Sequence, residues 1–183
     1  MSIKITGMEE IEAKLTALQN SLSGAQMKSK LSSIGEKVKT QIELSFERER
    51  SPFGQAWAPL SANTAIAYMR KSGAPKSARA RNRVFLAKFG AGGSKKILRL
   101  TGHLAENWSV DPSETSVTIS NNSSNEGFPY GLTHQFGSHN GWGRGIYIPA
   151  RPFLPIDKSG ALLPTLQKDI ENYLIREIEK AVK

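Results

Sequence analysis

The apolar residues of this 183-residue chain keep a helical period at both ends and lose it in between. Ile11, Leu15, Leu18 and Leu22 recur at steps of three and four, and Leu31, Ile34, Val38 and Ile42 do the same up to Phe46. Near the other end Leu166, Ile170, Leu174 and Ile178 repeat the pattern. Rows of this kind line one face of a helix and need a core to cover them. They predict two N-terminal helices, over roughly 8–22 and 26–47, and a C-terminal helix from about Leu162. Thr6 with Glu9, and Ser23 with Gln26, match the reciprocal capping pattern of helix starts. Gly24 weakens continuity between the first two helices, and Pro164 fits only a first turn.

The middle carries short segments of another kind. Val117 and Ile119 alternate with Thr118 and Ser120, as in a half-buried strand. Ile97, Leu98 and Leu100 predict a buried strand, Ile146 to Ile148 a last one, and Ile3 with Ile5 a short edge strand. Val110 begins a strand that Asp111-Pro112 is expected to break. Thr101 is placed to cap a short helix carrying Leu104, and Ser61 to Met69 and residues 130–136 read as helical turns. Gly137 to Gly145 reads as a loop. Helices, then strands, then a helix is the order of an α+β fold: N-terminal helices and a C-terminal helix packed on a small, mainly antiparallel sheet. With 38% hydrophobic residues and no internal repeat, the expectation is one domain over 1–183.

Charge is unevenly spread. From Ser51 to Ala105 there is no Asp or Glu, yet there are ten basic residues: Arg70, Lys71, Lys76, Arg79, Arg81, Arg83, Lys88, Lys95, Lys96 and Arg99. The remaining fifteen basic and sixteen acidic residues nearly cancel, so the formal charge of +9 comes from this block. Segregated positive charge attracts phosphate or an acidic protein surface. Residues 70–96, rich in Lys, Arg, Ala, Gly and Ser, show no sustained period and read as a basic extended insertion or arm. The plainer reading of the same block is a solvated loop kept soluble by its charge.

Several function classes have no support. Cysteine is absent, which removes disulfides and thiolate metal sites and fits a cytosolic place of synthesis. No stretch approaches the roughly 20 apolar residues of a membrane span, and Met1 to Gly7 has no signal-peptide core. Without such a signal the acceptor tripeptides at Asn107 and Asn122 read as chance. His134 and His139 are five apart with no carboxylate between them, too thin a ligand supply for a metal. His103 and Glu106 are three apart and resemble an acid–base pair, but an ordinary capping contact has the same spacing. Gly92-Gly93 and Gly143-Arg144-Gly145 lack the spacing of phosphate loops, and there is no nucleophile elbow. The expectation is no enzyme, no catalytic or metal-ligating residue and no cofactor.

Four segments are more specific as an ordered set. They are Phe53-Gly54-Gln55-Ala56-Trp57-Ala58-Pro59-Leu60-Ser61; Ile97-Leu98-Arg99-Leu100-Thr101-Gly102-His103-Leu104; Tyr130-Gly131-Leu132-Thr133-His134-Gln135-Phe136-Gly137; and Ile148-Pro149-Ala150-Arg151-Pro152-Phe153-Leu154. In this order the chain resembles the phage virion morphogenesis family, the tail-completion proteins of Mu-like and related tailed phages. The resemblance implies a structural protein that joins tail to head and carries no catalytic residues. It further implies kinship with neck and tail-terminator proteins that act as rings. The partners expected on that basis are copies of itself in a hexameric ring, tail tube or terminator and head-connector proteins, and DNA in the channel, at the neck or tail end of a virion, with no membrane.

The residues of these segments also have a direct reading. Trp57, Phe136 and Phe153 stand beside Gly or Pro at chain reversals, where large aromatics anchor loops to a core and leave surfaces for assembly contacts. Arg151, between Ala150 and Pro152, is a candidate for pairing with a carboxylate in the chain or on a neighbouring subunit. Two rival functions remain: a sequence-independent nucleic-acid-binding protein using the basic 70–99 segment, and a hydrolase using His103 or His134. The first has only Phe85 and Phe89 for base stacking; the second lacks a nucleophile or metal set.

Overall fold

The computed structural model describes residues 8–61, 96–99, 101–124, 127–141 and 145–182. Their elements are α1 (Met8–Ser21), α2 (Gly24–Arg48), α3 (His103–Glu106), β1 (Trp108–Pro112), β2 (Val117–Asn121), α4 (Tyr130–Phe136), β3 (Ser138–Gly141), β4 (Ile146–Ile148) and α5 (Pro164–Ala181). This is the expected α+β class. The strands form two separate antiparallel pairs, β1–β2 and β3–β4, in place of one sheet. The expected edge strand at Ile3 and Ile5, most of the turn at Ser61 to Met69, and the basic residues from Arg70 to Lys95 lie outside the described residues. The chain groups into two compact units, one from residues up to 41, 108–121 and from 155 onward, the other from 42–107 and 122–154.

In the first unit α1 and α2 are separate helices because Gly24 takes a left-handed φ of 52°. The Ser23 hydroxyl donates backward to the Asn20 carbonyl at 3.4 Å. Lys30, a buried lysine of α2, donates its ammonium to the Ser21 carbonyl at 3.0 Å, where the C-terminus of α1 gathers unpaired carbonyls and negative partial charge. α1 packs against α5. Gly35 lets α2 approach the β1–β2 hairpin closely: a Cβ there would lie 2.4 Å from a Val110 methyl and 2.8 Å from one of Val117. Pro112 does not break its strand. It pairs opposite Val117 at the end of the ladder, where a missing N–H costs least, and Ser113 N–H donates to the Ser116 carbonyl at 2.7 Å to close the turn. Before α5, Leu163 N–H donates to the Pro155 carbonyl at 2.8 Å, Pro164 occupies the first turn, and Leu163 and Leu166 are buried.

In the second unit the last turns of α2 bury Ile42 and Phe46 completely. Glu49 ends the helix with a left-handed φ of 51°. The chain then reverses, with Arg50 bridged to Ala56 and Ser51 N–H donating to the Gln55 carbonyl at 2.8 Å. Ile97 and Leu98, expected in a strand with Leu100, form a turn instead, and Leu100 lies outside the described residues. Lys96 donates its ammonium to the Glu47 carbonyl at 2.8 Å, Ile97 N–H donates to the Glu49 carboxylate, and Leu98 takes a φ of 61°. These contacts with the end of α2 outweigh the strand preference of a short apolar run. α3 is capped by Gly102 at a φ of 86°, without the side-chain bond expected from Thr101. The segment read as a loop after Gly137 contains β3, because Ser138 pairs with Ile148 and Gly141 with Ile146 across a bulge.

Candidate functional site

The second unit is built around one aromatic cluster. Phe46 stands edge-on to Trp57, with ring centres 5.4 Å apart, and meets Phe153 at 5.1 Å. Trp57 donates its indole N–H to the Pro152 carbonyl at 2.7 Å, so burying this ring leaves no polar group unpaired. Gly131 of α4 brings that helix against Leu104 and Phe153; a Cβ there would sit 3.2 Å from Leu104. Parts of all four ordered segments therefore meet in one core.

Arg151 joins three of them. Its guanidinium donates to the Ala58 carbonyl at 2.8 Å and the Pro59 carbonyl at 3.0 Å, while its backbone N–H donates to the His134 carbonyl at 2.6 Å. The carboxylate partner expected from sequence is not among its described contacts. Two carbonyls of a chain reversal take that place, which suits a planar fork with several donors. Burial lowers the Arg151 pKa from its ordinary value.

Gln135 was not singled out by sequence reasoning, yet it is buried and accepts both Phe153 N–H at 2.9 Å and Leu154 N–H at 3.0 Å with one amide oxygen. No periodicity marks a buried amide; its only signal is a polar residue where α4 turns inward. Gly137 closes the same region with a φ of 75°, and a Cβ there would press at 3.0 Å on backbone atoms of Ile148 and Ala150.

The histidines do not converge. His134 sits beside Arg151, and its pKa is lowered to about 4, first by burial and then by that positive charge. Its Nδ1 is buried and meets no hydrogen-bond partner among the described residues. His139 is exposed and stacks near Tyr147 with ring centres 5.4 Å apart, while His103 lies exposed on α3. Among the described residues no group of three or more His, Asp or Glu is placed to hold a metal ion, and no helix is long and apolar enough to cross a membrane.

What remains available to other molecules is surface. Trp57, Phe153 and Arg151 are buried, whereas Phe136 is 53% exposed. Of the ten basic residues of the acid-free block only Lys96 and Arg99 are described; both are exposed, and the Lys96 ammonium caps the end of α2. The second unit holds fourteen basic and five acidic residues and the first eleven of each, so the entire +9 belongs to the second.

A two-unit α+β scaffold with buried polar locks, exposed apolar side chains and one strongly basic unit defines a protein of surfaces. The model of the phage virion morphogenesis family matches residues 6–179, and the chain belongs to that family. No curated protein and no solved structure matches it. Its role lies in the assembly of a phage virion.

Proposed function

We propose that this protein completes the tail of a tailed phage and joins it to the head connector, acting as a ring of its own copies at the neck. The observation that carries the reading is the family match over nearly the whole chain, together with a core in which the four ordered segments hold one another. Such a core positions loops and surfaces and spends its polar groups on structure, as a static joining part requires. The basic unit faces an acidic protein surface or the DNA in the channel.

The test is deletion of the gene from the phage. Lysates should contain filled heads and separate tails, seen by negative-stain microscopy, and purified protein added to them should restore plaque formation. Intact, infectious particles without the protein would sink the proposal. No catalytic step is part of this role. Replacing His103, His134 and His139 together by Gln should leave joining intact, and a hydrolytic activity lost in that variant would reverse the reading.

A second reading rests on the concentration of charge in one unit: sequence-independent binding of nucleic acid through the 70–99 segment. It expects the purified protein to retain duplex DNA and expects deletion lysates to show a defect in DNA retention with heads and tails still joined.

A further inference from the structure

All three histidines, His103, His134 and His139, belong to the second unit. His134 differs from the others. Its Nδ1 is buried without a hydrogen-bond partner among the described residues, whereas His103 and His139 are exposed. It also stands at the joint between α4 and residues 150–154. The His134 carbonyl accepts Arg151 N–H at 2.6 Å, and the amide oxygen of Gln135 beside it accepts Phe153 N–H and Leu154 N–H at 2.9 and 3.0 Å. One turn earlier, Gly131 lies against Leu104 and Phe153. α4 has seven residues, fewer than the roughly 12–15 that an isolated helix needs in water, so these joints are what hold it.

We infer that His134 is the trigger of an acid-sensitive latch: when its ring takes up a proton, α4 parts from residues 150–154 while the first unit keeps its hydrogen bonds. In the closed form a proton on Nδ1 makes that atom a buried donor with no acceptor among the described residues. The neighbouring Arg151 guanidinium is held in place by the Ala58 and Pro59 carbonyls, so it cannot withdraw from a second positive charge. No carboxylate offsets the repulsion. Residues 127–141 contain no Asp, Glu, Lys or Arg; 145–154 contain only Arg151, and the reversal at 50–61 only Arg50. α3 brings His103 and Glu106, but Glu106 is exposed and its carboxylate turns back on Gly102, where a Cβ would meet it at 3.1 Å. On the β3–β4 hairpin His139 lies against Tyr147, and within α4 Tyr130 stands edge-on to His134 at 6.3 Å. Burial first and Arg151 second thus lower the ring's pKa from 6.5 to about 4. In the open form the imidazolium reaches water, so opening gains as pH falls from about 6.5 toward 4, by up to about tenfold per pH unit. Opening frees the Arg151, Phe153 and Leu154 amides and uncovers Phe153, which is 2% exposed when closed. The first unit holds no histidine, which confines the response to the second. The latch is a property of the chain itself and stands whether or not the chain joins heads to tails.

The test follows amide hydrogen exchange of the full chain by mass spectrometry between about pH 7 and pH 5, with rates corrected for the intrinsic pH dependence of exchange. In that range histidine is the side chain whose ordinary pKa brings a change of charge. Peptides covering 130–137 and 150–154 should lose protection by up to about tenfold per pH unit below 6.5, while peptides from α5 and the β1–β2 hairpin keep theirs. His134→Gln, a polar side chain that gains no charge, should leave residues 150–154 equally protected at both ends of the range. Should that variant fail to fold by circular dichroism, His103→Gln with His139→Gln carries the test: His134 is then the sole histidine, and the full response should persist. Protection at 150–154 that stays flat with pH, a loss that persists in His134→Gln, a loss shared equally by α5 and the β1–β2 hairpin, or a response that disappears from the double variant overturns the inference.

Discussion

His134 and Arg151 show how a half-buried histidine beside a buried guanidinium makes stability depend on pH. The ordinary His134 pKa of 6.5 falls to about 4 in the fold, through burial and the neighbouring guanidinium. The unfolded chain therefore binds this proton more readily, and the neutral ring favours the folded state. The contribution is complete above about pH 6.5 and is lost as pH falls toward 4; with partial solvent access it is at most about 3 kcal/mol. His134→Gln should flatten the dependence of melting temperature on pH across that window, and an unchanged slope would assign the acid sensitivity elsewhere. Arg151 should be still less replaceable. Arg151→Ala leaves the Ala58 and Pro59 carbonyls without their donors and should cost about 2–4 kcal/mol in urea unfolding. Arg151→Lys should recover little, since an ammonium does not reproduce the fork. Gln135 stands out of reach of sequence reading for a related reason: its value lies in two N–H groups eighteen and nineteen residues away.

Among the elements, α2 links the most physics. Its apolar row was legible because a 3.6-residue period survives any tertiary context, and the observed helix covers the expected span. The closeness of Gly35 to Val110 and Val117 was not, because only the position of the β1–β2 hairpin makes a glycine necessary there. Gly35→Ala gains helix propensity of about 1 kcal/mol. The added methyl meets branched side chains that have little room to turn, and overpacking of this kind costs about 1–3 kcal/mol. The net effect should be destabilising, and Val110→Ala in the same chain should offset part of it. Strict additivity of the two substitutions would show that the contact carries no energy. The short apolar run at Ile97 and Leu98 illustrates the converse. Its residues favour a strand, but hydrogen bonds to Glu47 and Glu49 set a turn. The strand after Gly137 was hidden by Ser, His, Asn and Gly, which carry no strand preference.

For the molecule as a whole, the proposed role sets the basic unit against a polyanionic or acidic neighbour. The purified protein should retain mixed-sequence duplex DNA at about 50 mM salt and lose it by a factor of about a thousand or more at 200 mM, as expected for about six phosphate contacts. Electrophoretic mobility shifts across that range check it, and a flat salt response would remove the basic unit as a phosphate-facing surface. Composition and periodicity alone determined the α+β class, the terminal helices and the separation of positive charge, and four ordered segments carried the resemblance to the virion morphogenesis family, because each is a property of local pattern or of residues in order. Tertiary structure decided that the sheet is two hairpins, that Arg151 holds carbonyls, that Gln135 and Lys30 lie buried, and which apolar side chains face outward. Those outcomes depend on which distant groups reach one another, and burial pairs Arg151, Gln135 and Lys30 with partners that no spacing along the chain specifies.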